Sequence, residues 1–295
     1  MFPATGWQQF EVVDAGGGNK LERWGDVYVL RPDPQAIWKA NLSLPEYQRV
    51  YAVYTRNSRG GGTWTFKRTT PDDWVIAYDT LRFRVKPMGF KHMGLFPEQA
   101  ANWVWLRDIL TGRHVAATGT GRTINILNLF AYTGGATVAC AASNPHVSIT
   151  HVDAARGMVR RAQDNAVLSG VGKVPVRYIV DDCMKFIQRE KRRGVRYDGV
   201  IMDPPAYGRG TGGELWKLED EIYDLVVQAA ALLSECALFF LLNSYTTGLG
   251  AQTMENMLKL ALSKHGGTFE SGELCLPITH RGLYLPCGNT VRWRQ

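Results

Sequence analysis

The segment Asp203-Pro204-Pro205-Ala206-Tyr207-Gly208-Arg209-Gly210 follows an apolar run that is typical of a buried strand. Two consecutive prolines fix φ and remove two backbone donors. The carbonyl groups and the Asp203 carboxylate therefore form a rigid edge of hydrogen-bond acceptors, and the ring of Tyr207 could stack on a planar group. Such an edge could hold a nitrogen base and orient its attacking atom. A loop that is merely rigid is the alternative.

A second segment, Asn128-Leu129-Phe130-Ala131-Tyr132-Thr133-Gly134-Gly135-Ala136, lies between an apolar run and a run of small residues. This order predicts a strand, a turn and the start of a helix. The two glycines let the backbone approach a ligand closely, and the helix start offers amide donors. A tight turn without a ligand is the alternative.

Acidic residues follow the next two apolar runs. Asp153 could accept hydrogen bonds from both ribose hydroxyls of a nucleotide-like cofactor. In Asp181-Asp182-Cys183, a carboxylate could accept from an adenine amino group while the neighbouring amide donates to the ring. At both places a helix N-cap is the alternative.

Together these segments resemble the class I S-adenosylmethionine-dependent methyltransferases. The resemblance is greatest to the bacterial 23S ribosomal RNA methyltransferases of the cytosine-C5 and guanine-N7 types. The matching segments are NLFAYTGGAT (128–137), HVDAARGMVRRAQDNAVLSG (151–170), DD (181–182) and YDGVIMDPPAYG (197–208). The stretch FKHMGLFPEQ (90–99) is similar to the K-T-G-x-x-x-D-Q segment of that family.

The resemblance implies S-adenosyl-L-methionine as the cofactor and no metal. The cofactor-binding residues that it implies are Phe96, Gln99, Asn128, Phe130, Tyr132, Thr133, Gly134, Gly135, Asp153, Ala154, Asp182, Cys183 and Asp203. Asp203 and the Pro204 carbonyl would hold the methyl acceptor, and Tyr207 would stack on it.

The cysteines bear on which atom is methylated. Methylation of a cytosine ring carbon needs a thiolate nucleophile. In the resembling C5 enzymes this cysteine follows the fifth strand or comes directly after the prolines, but here those places read NSYTT (243–247) and Ala206. We therefore expect methylation of a base nitrogen in structured RNA, such as ribosomal RNA.

The chain is expected to form two domains. Short β-branched and aromatic runs separated by turn signals predict a small, mostly β domain over residues 1–88. From residue 89 to 295, alternating strands and helices predict a parallel α/β sheet, with a long helix over 214–233. Two final β-like runs without a helix between them predict an antiparallel hairpin. With the resemblance, this predicts a seven-stranded, Rossmann-like methyltransferase sheet of order 3-2-1-4-5-7-6.

The charge distribution suggests a nucleic-acid partner. The net charge is +7, and no acid lies between Glu46 and Asp72. Aromatic residues alternate there with cations that could bind RNA, namely Arg49, Arg56, Arg59, Lys67 and Arg68. Cations with aromatic rings suit phosphate neutralisation and base stacking. A solvated hairpin with one aromatic face packed inward is the alternative, and this region does not resemble the RNA-binding PUA domain that such enzymes often carry.

No apolar run approaches the length that a bilayer requires, and the first residues lack the features of a signal peptide. The five cysteines are scattered, without a pair at metal-ligand spacing. These features predict a cytoplasmic protein that has no membrane partner, and they leave its oligomeric state open. The alternative functions are methylation of a protein or small molecule and non-catalytic RNA binding; a nicotinamide oxidoreductase would not need the D-P-P-x-Tyr segment.

Overall fold

The structure is a computed structural model that describes residues 1–57, 61–69, 71–112, 122–209, 215–246 and 248–295. For residues 207–209, 215 and 216 the backbone alone is described. Arg59 and Gly210 lie outside the described residues. The chain divides into two compact units. The first unit comprises residues 2–101 and 274–287, and the second unit comprises residues 102–273 and 288–295.

The first unit is built mainly from strands. They are β1 (Phe2–Pro3), β2 (Phe10–Gly16), β3 (Asn19–Trp24), β4 (Val27–Pro32), β5 (Val50–Arg56), β6 (Gly62–Phe66), β7 (Trp74–Tyr78) and β8 (Leu81–Val85). Short 3-10 helices cover Pro45–Arg49 and Pro97–Gln99. The fully buried side chains of Leu21 and Trp24 lie on β3 and pack into the interior of this unit.

The second unit alternates helices and strands. The helices are α1 (Ala100–Thr111), α2 (Gly135–Ser143), α3 (Arg156–Leu168), α4 (Cys183–Arg192), α5 (Leu218–Ala230) and α6 (Ala251–Ala261). The strands are β9 (Ile124–Leu129), β10 (Val147–Asp153), β11 (Val176–Val180), β12 (Gly199–Met202), β13 (Tyr207–Arg209), β14 (Leu215–Lys217) and β15 (Phe239–Ser244). Two last strands, β16 (Thr268–Ile278) and β17 (Leu283–Arg294), each contribute residues to both units.

Strand pairing defines the sheet in each unit. In the second unit the order is β11-β10-β9-β12-β15-β17-β16. The first five strands of this order are parallel to one another, and β17 is antiparallel to β15. In the first unit the order is β16-β2-β3-β4-β5-β6, with β1 beside β16. The strands β7 and β8 form a separate antiparallel pair.

Alternation along β9 shows why the second unit has helices on both faces of its sheet. Ile124 and Ile126 are buried in a cluster with side chains of α1 and α2, whereas Leu127 and Leu129 are buried in a cluster with side chains of α4 and α5. Because successive residues of a strand point to opposite faces, a strand covered on both sides reads as a continuous apolar run.

Two expected boundaries differ from those observed. The sequence predicts a division after residue 88, but residues 89–101 and 274–287 group with the first unit. The helix expected over 214–233 spans Leu218–Ala230, since residues 215–217 pair with residues 207–209 instead. Three acidic residues in its first turn favour a start at Leu218.

A buried ion network lies between β3 and β4 of the first unit. Arg31 donates to both carboxylate oxygens of Glu22, at 2.6 and 2.7 Å, and Lys20 lies 3.5 Å from the same carboxylate. Burial alone would raise the pKa of Glu22, but the charges of Arg31 and Lys20 hold it below its usual value. The network is therefore ionised inside the unit.

No helix in the part of the chain that the structure describes is long and apolar enough to cross a membrane.

Candidate cofactor-binding and catalytic site

The parallel strands of the second unit end at one edge of the sheet. Leu129, the last residue of β9, pairs with Val152 and Met202 near the ends of β10 and β12. Asp153 pairs with Val180, where β11 ends. The four predicted segments therefore leave the sheet at the same edge, which in open α/β sheets is where ligands bind.

The glycine turn, residues 130–135, follows β9 and has an unusual backbone. Phe130, Tyr132 and Gly134 all have positive φ, at 55°, 49° and 82°. Positive φ is unfavourable for residues with a Cβ, and such strain is concentrated at functional sites. At Gly134 an added Cβ would lie 2.8 Å from the Ala162 Cβ, so that position also lacks space. Left-handed residues at alternate positions fold the backbone tightly just before α2.

Asp153 contacts the turn directly. Its Oδ2 accepts a hydrogen bond from the Tyr132 amide at 2.8 Å, and its Oδ1 accepts from the Ala155 amide at 2.8 Å. Burial raises the pKa of Asp153, while the two amides oppose the rise. Each carboxylate oxygen has a second lone pair, so the group can still accept from a ligand. Ala154, beside it, is exposed.

A buried polar chain supports the turn from beneath, and sequence reasoning did not identify it. The Asn128 side-chain amide donates to the Thr137 hydroxyl at 2.9 Å, and this hydroxyl lies 2.9 Å from His151 Nδ1. Asn165 donates to the Thr133 carbonyl at 2.9 Å. His151 is fully buried. Its signal in the sequence is a single imidazole within the apolar strand VSITHVD (147–153).

Asp182 and Cys183 lie where β11 leads into α4. Asp182 caps this helix, because its Oδ1 accepts from the Lys185 amide at 2.9 Å. The helix-cap alternative is thus present, and a cofactor role would need the second oxygen. The Phe130 amide donates to the Cys183 sulfur at 3.4 Å. Burial raises the pKa of Cys183 far above its usual range.

The proline segment begins directly after β12. Asp203 is half-buried, Pro204 is buried and Pro205 is exposed. The Leu218 amide donates to the Ala206 carbonyl at 3.1 Å, which ties this segment to the start of α5. The backbone of Tyr207 pairs with that of Lys217. The structure describes only the backbone of Tyr207.

Phe96 and Gln99 belong to the first unit. The Gln99 amide donates to the Phe96 carbonyl at 3.1 Å, and the Trp7 indole donates to the intervening Pro97 carbonyl at 3.0 Å. Their role in enclosing a cofactor stays a prediction.

The predicted RNA-binding cations of the first unit that the structure describes are exposed, namely Arg49, Arg56, Lys67 and Arg68. Two of them contact neighbouring rings, with Arg49 4.5 Å from the centre of Tyr28 and Arg68 5.5 Å from that of Tyr51. Arg68 also donates to the Gln48 carbonyl at 2.9 Å. Arg56 and Lys67 extend from β5 and from the end of β6.

The described residues contain no group of three His, Cys, Asp or Glu side chains that could hold a metal ion.

A protein family and a solved structure that are similar to this chain are both described as S-adenosylmethionine-dependent methyltransferases. Residues 48–237 match the protein family described as S-adenosylmethionine-dependent methyltransferase. The crystal structure of an S-adenosylmethionine-dependent methyltransferase from Agrobacterium tumefaciens is 34% identical in sequence, with a TM-score of 0.89 over 99% of this chain and 92% of that one. This similarity confirms the predicted α/β sheet with an N-terminal β region.

Two curated relatives act on ribosomal RNA according to their names. Ribosomal RNA large subunit methyltransferase K from Neisseria meningitidis is 24% identical over 76% of this chain and 62% of its own length. Ribosomal RNA large subunit methyltransferase K/L from Shewanella loihica is 36% identical over 59% of this chain and 24% of its own length. The chain thus spans less than two thirds of each of these relatives.

Proposed function

Because the chain belongs to the S-adenosylmethionine-dependent methyltransferases, we propose that it methylates a base nitrogen in structured RNA, with ribosomal RNA as the substrate. Family membership confirms the predicted enzyme class and the predicted cofactor. The RNA substrate is supported by the names of the curated relatives and by the exposed cations of the first unit. The observation that carries the choice of a base is the position of Asp203 and Pro204 directly after β12, where their oxygens would form an acceptor edge.

We also infer that β9, β10, β11, β12, β15, β16 and β17 correspond, in chain order, to the seven strands of a class I methyltransferase sheet. The strand order 3-2-1-4-5-7-6 would follow, and the pairing order of the second unit supports it.

The glycine turn and its neighbours fit the nucleoside part of S-adenosylmethionine. The positive φ values of Phe130, Tyr132 and Gly134 tighten the backbone at the sheet edge where such a ligand would lie. Asp153 retains acceptor capacity for ribose hydroxyls, and Asp182 can use its second oxygen for an amino group. The other residues of the second unit proposed to line this site are Asn128, Thr133, Gly135, Ala154 and Cys183. The side chain of Asn128 would act through Thr137, to which it donates.

The acceptor base would be held by the proline segment. S-adenosylmethionine, when bound, supplies an electrophilic methyl group. The Asp203 carboxylate and the Pro204 carbonyl would accept hydrogen bonds from the base and aim its nitrogen, while Tyr207 stacks on the ring. Asp203 could also take up the proton that an amino nitrogen loses on methylation. Positioning of this kind can account for most of the rate in a reaction whose electrophile is already activated.

Nitrogen rather than ring carbon is favoured by the cysteine chemistry. The residues after β15 and after the prolines are not cysteine. Burial raises the pKa of Cys140 to about 12 and raises that of Cys183 as well. A buried thiol with a raised pKa is a poor source of the thiolate that ring-carbon methylation requires.

The test is methylation of total RNA from a strain that lacks the gene, using labelled cofactor. Label in large-subunit ribosomal RNA, released on digestion as an N-methylated nucleoside, is the expected result. Label in a 5-methylcytosine nucleoside would contradict the nitrogen assignment. Label in protein or small metabolites would support the other substrate classes, and no transfer to any pool would support a non-catalytic RNA-binding protein.

Two variants separate the proposed roles. Asp153→Ala should weaken cofactor binding by about 1.5–3 kcal/mol, the scale of hydrogen bonds to a charged group, as measured by calorimetry. Tyr207→Ala should leave cofactor binding nearly unchanged but slow single-turnover methylation by ~100-fold, because loss of stacking would misplace the attacking atom. Asp164→Ala, at an exposed position of α3, is the matched control and should change neither.

A further inference from the structure

The turn that follows β8 in the first unit projects an aromatic ring into solvent. The Lys86 amide donates to the Met93 carbonyl at 3.1 Å, and the Met88 amide donates to the His92 carbonyl at 2.9 Å. Phe90 lies at the tip between these bonds, with its side chain 67% exposed and its φ at 58°. A bulky residue is unfavourable in this left-handed region, and exposing a phenyl ring forgoes the free energy of its burial. Neither local conformation nor packing therefore explains a phenylalanine here.

The tip is nonetheless held firmly. The Trp64 indole donates to the Met88 carbonyl at 2.8 Å and to the Phe90 carbonyl at 3.0 Å. Arg31 donates to the Lys91 carbonyl at 2.5 Å while its other nitrogens bind Glu22. Because the backbone on both sides of Phe90 is fixed, a ligand that contacts the ring loses little conformational entropy of the loop.

Positive charge is crowded around Lys91, the residue that follows Phe90. Burial, together with the charges of Lys20, Arg31 and Arg56, lowers the pKa of Lys91 to about 8 against the opposing effect of Asp33. The ammonium group of Lys91 donates to the Pro32 carbonyl at 3.3 Å, and Arg56 is exposed. Cations that repel one another would be stabilised by an anion placed between them. A phosphate of RNA carries the required charge.

We propose that Phe90 stacks on an unpaired base of the RNA substrate while Lys91 and Arg56 bind a neighbouring phosphate. This inference rests on the proposed function, since it takes RNA as the substrate. A phenyl ring stacks only on a base whose face is open, whereas the cations bind phosphate of any strand. The two contacts therefore predict different preferences, with Phe90 selecting single-stranded over double-stranded RNA.

The experiment compares two probes by fluorescence anisotropy, an oligoadenylate of about 12 nucleotides and an RNA duplex of the same length. Phe90→Ala should weaken binding of the oligoadenylate about tenfold, the scale of one lost base stack, and leave duplex binding within about twofold. Phe90→Tyr should restore the affinity and Phe90→Leu should not, because the contact needs an aromatic face. Lys91→Gln and Arg56→Gln should weaken both probes and flatten the salt dependence of binding.

Tyr223→Ala is the matched control, since Tyr223 is 44% exposed on α5 of the second unit, and it should change neither affinity. Cofactor affinity, measured for every variant, reports correct folding. Equal loss of both probes in Phe90→Ala, no loss of either, or a loss of cofactor binding would each overturn the stacking contact while leaving the RNA substrate in place. If the wild-type protein binds neither probe and no ribosomal RNA is methylated, the proposed function itself fails.

Discussion

Asp153 and His151 both lie near the end of β10, where Asp153 accepts from the Tyr132 amide and His151 Nδ1 lies 2.9 Å from the Thr137 hydroxyl. The position of Asp153 beside the glycine turn could be predicted, because an acid at a strand end after a glycine turn has a recognisable spacing. The role of His151 could not be, since it depends on which side chains meet beneath the turn. Thr137 comes from α2 and Asn128 from β9, and only folding brings them to the imidazole. The single imidazole in an apolar strand was nevertheless a visible signal.

His151 should make stability depend on pH. Burial lowers its pKa to about 3. Below the ordinary value near 6.5 the unfolded chain binds a proton that the folded protein excludes, so stability should fall as pH falls towards 3. At about pH 5.5 this group alone should lower the free energy of unfolding by about 1.4 kcal/mol relative to its value well above pH 6.5. Urea unfolding of wild type and His151→Leu across pH should therefore show their difference in stability shrinking in acid.

Thr137→Val is the control for this measurement. It removes the hydroxyl beside His151 Nδ1 but leaves the imidazole buried, so it should lower stability at every pH and keep the wild-type pH dependence. If the plots of stability against pH were parallel for wild type and His151→Leu, the pKa of the imidazole would not differ between the folded and unfolded states.

At the scale of elements, the β–α repeats were predictable because each buried strand reads as an apolar run covered on both faces. The start of α5 was not, since residues 215–217 pair with a strand that only the folded chain presents. The strands β2 and β3 do not read as apolar runs, for a related reason. They carry the charged residues Asp14 and Glu22, which are fully buried. Asp14 is paired with Arg281 far along the chain, and Glu22 is paired with Arg31 of the neighbouring strand β4.

The link between β9 and α2 should tolerate no Cβ at Gly134. Gly134→Ala would impose positive φ on alanine, at about 1–2 kcal/mol, and place its Cβ against Ala162. We expect a loss of more than about 2 kcal/mol in the free energy of unfolding, together with weaker cofactor binding. Gly157→Ala is the matched control, because Gly157 lies in α3 with no atom within 4 Å of an added Cβ. It should be neutral or stabilise by up to about 1 kcal/mol, and equal unfolding midpoints for the two variants would contradict the geometry.

At the scale of the whole molecule, the net charge of +7 is distributed unevenly between surface and interior. Exposed cations of the first unit remain available for a polyanion, whereas Arg31 and Lys20 are committed to buried carboxylates. Composition could predict an anionic partner in general terms. It could not predict which cations form buried ion pairs, because that depends on strand pairing.

Arg31 should be among the residues on which the first unit depends. Arg31→Met would leave the fully buried Glu22 carboxylate with Lys20 and the Trp24 indole as its partners, and breaking such a pair from one side costs about 3–5 kcal/mol. The double variant Arg31→Met/Glu22→Gln should recover a large part of this loss, because it removes the uncompensated charge. Urea denaturation of the three proteins provides the measurement. A double variant no more stable than Arg31→Met would mean that packing of the arginine, not its charge, is what matters.

The strands β16 and β17 have a consequence for how the protein is made. Residues 274–287 complete the first unit, where Ile278 of β16 pairs with Val12 of β2 and Arg281 binds Asp14. On the ribosome these residues emerge only after the whole of residues 102–273. Until nearly all of the second unit has been synthesised, β2 therefore lacks its pairing with β16, and the first unit cannot complete its fold. Contacts so distant in the chain slow folding and expose strand edges meanwhile. A nascent chain stalled before residue 274 should consequently hold a second unit that has begun to fold beside a first unit that is still sensitive to protease and bound by chaperones.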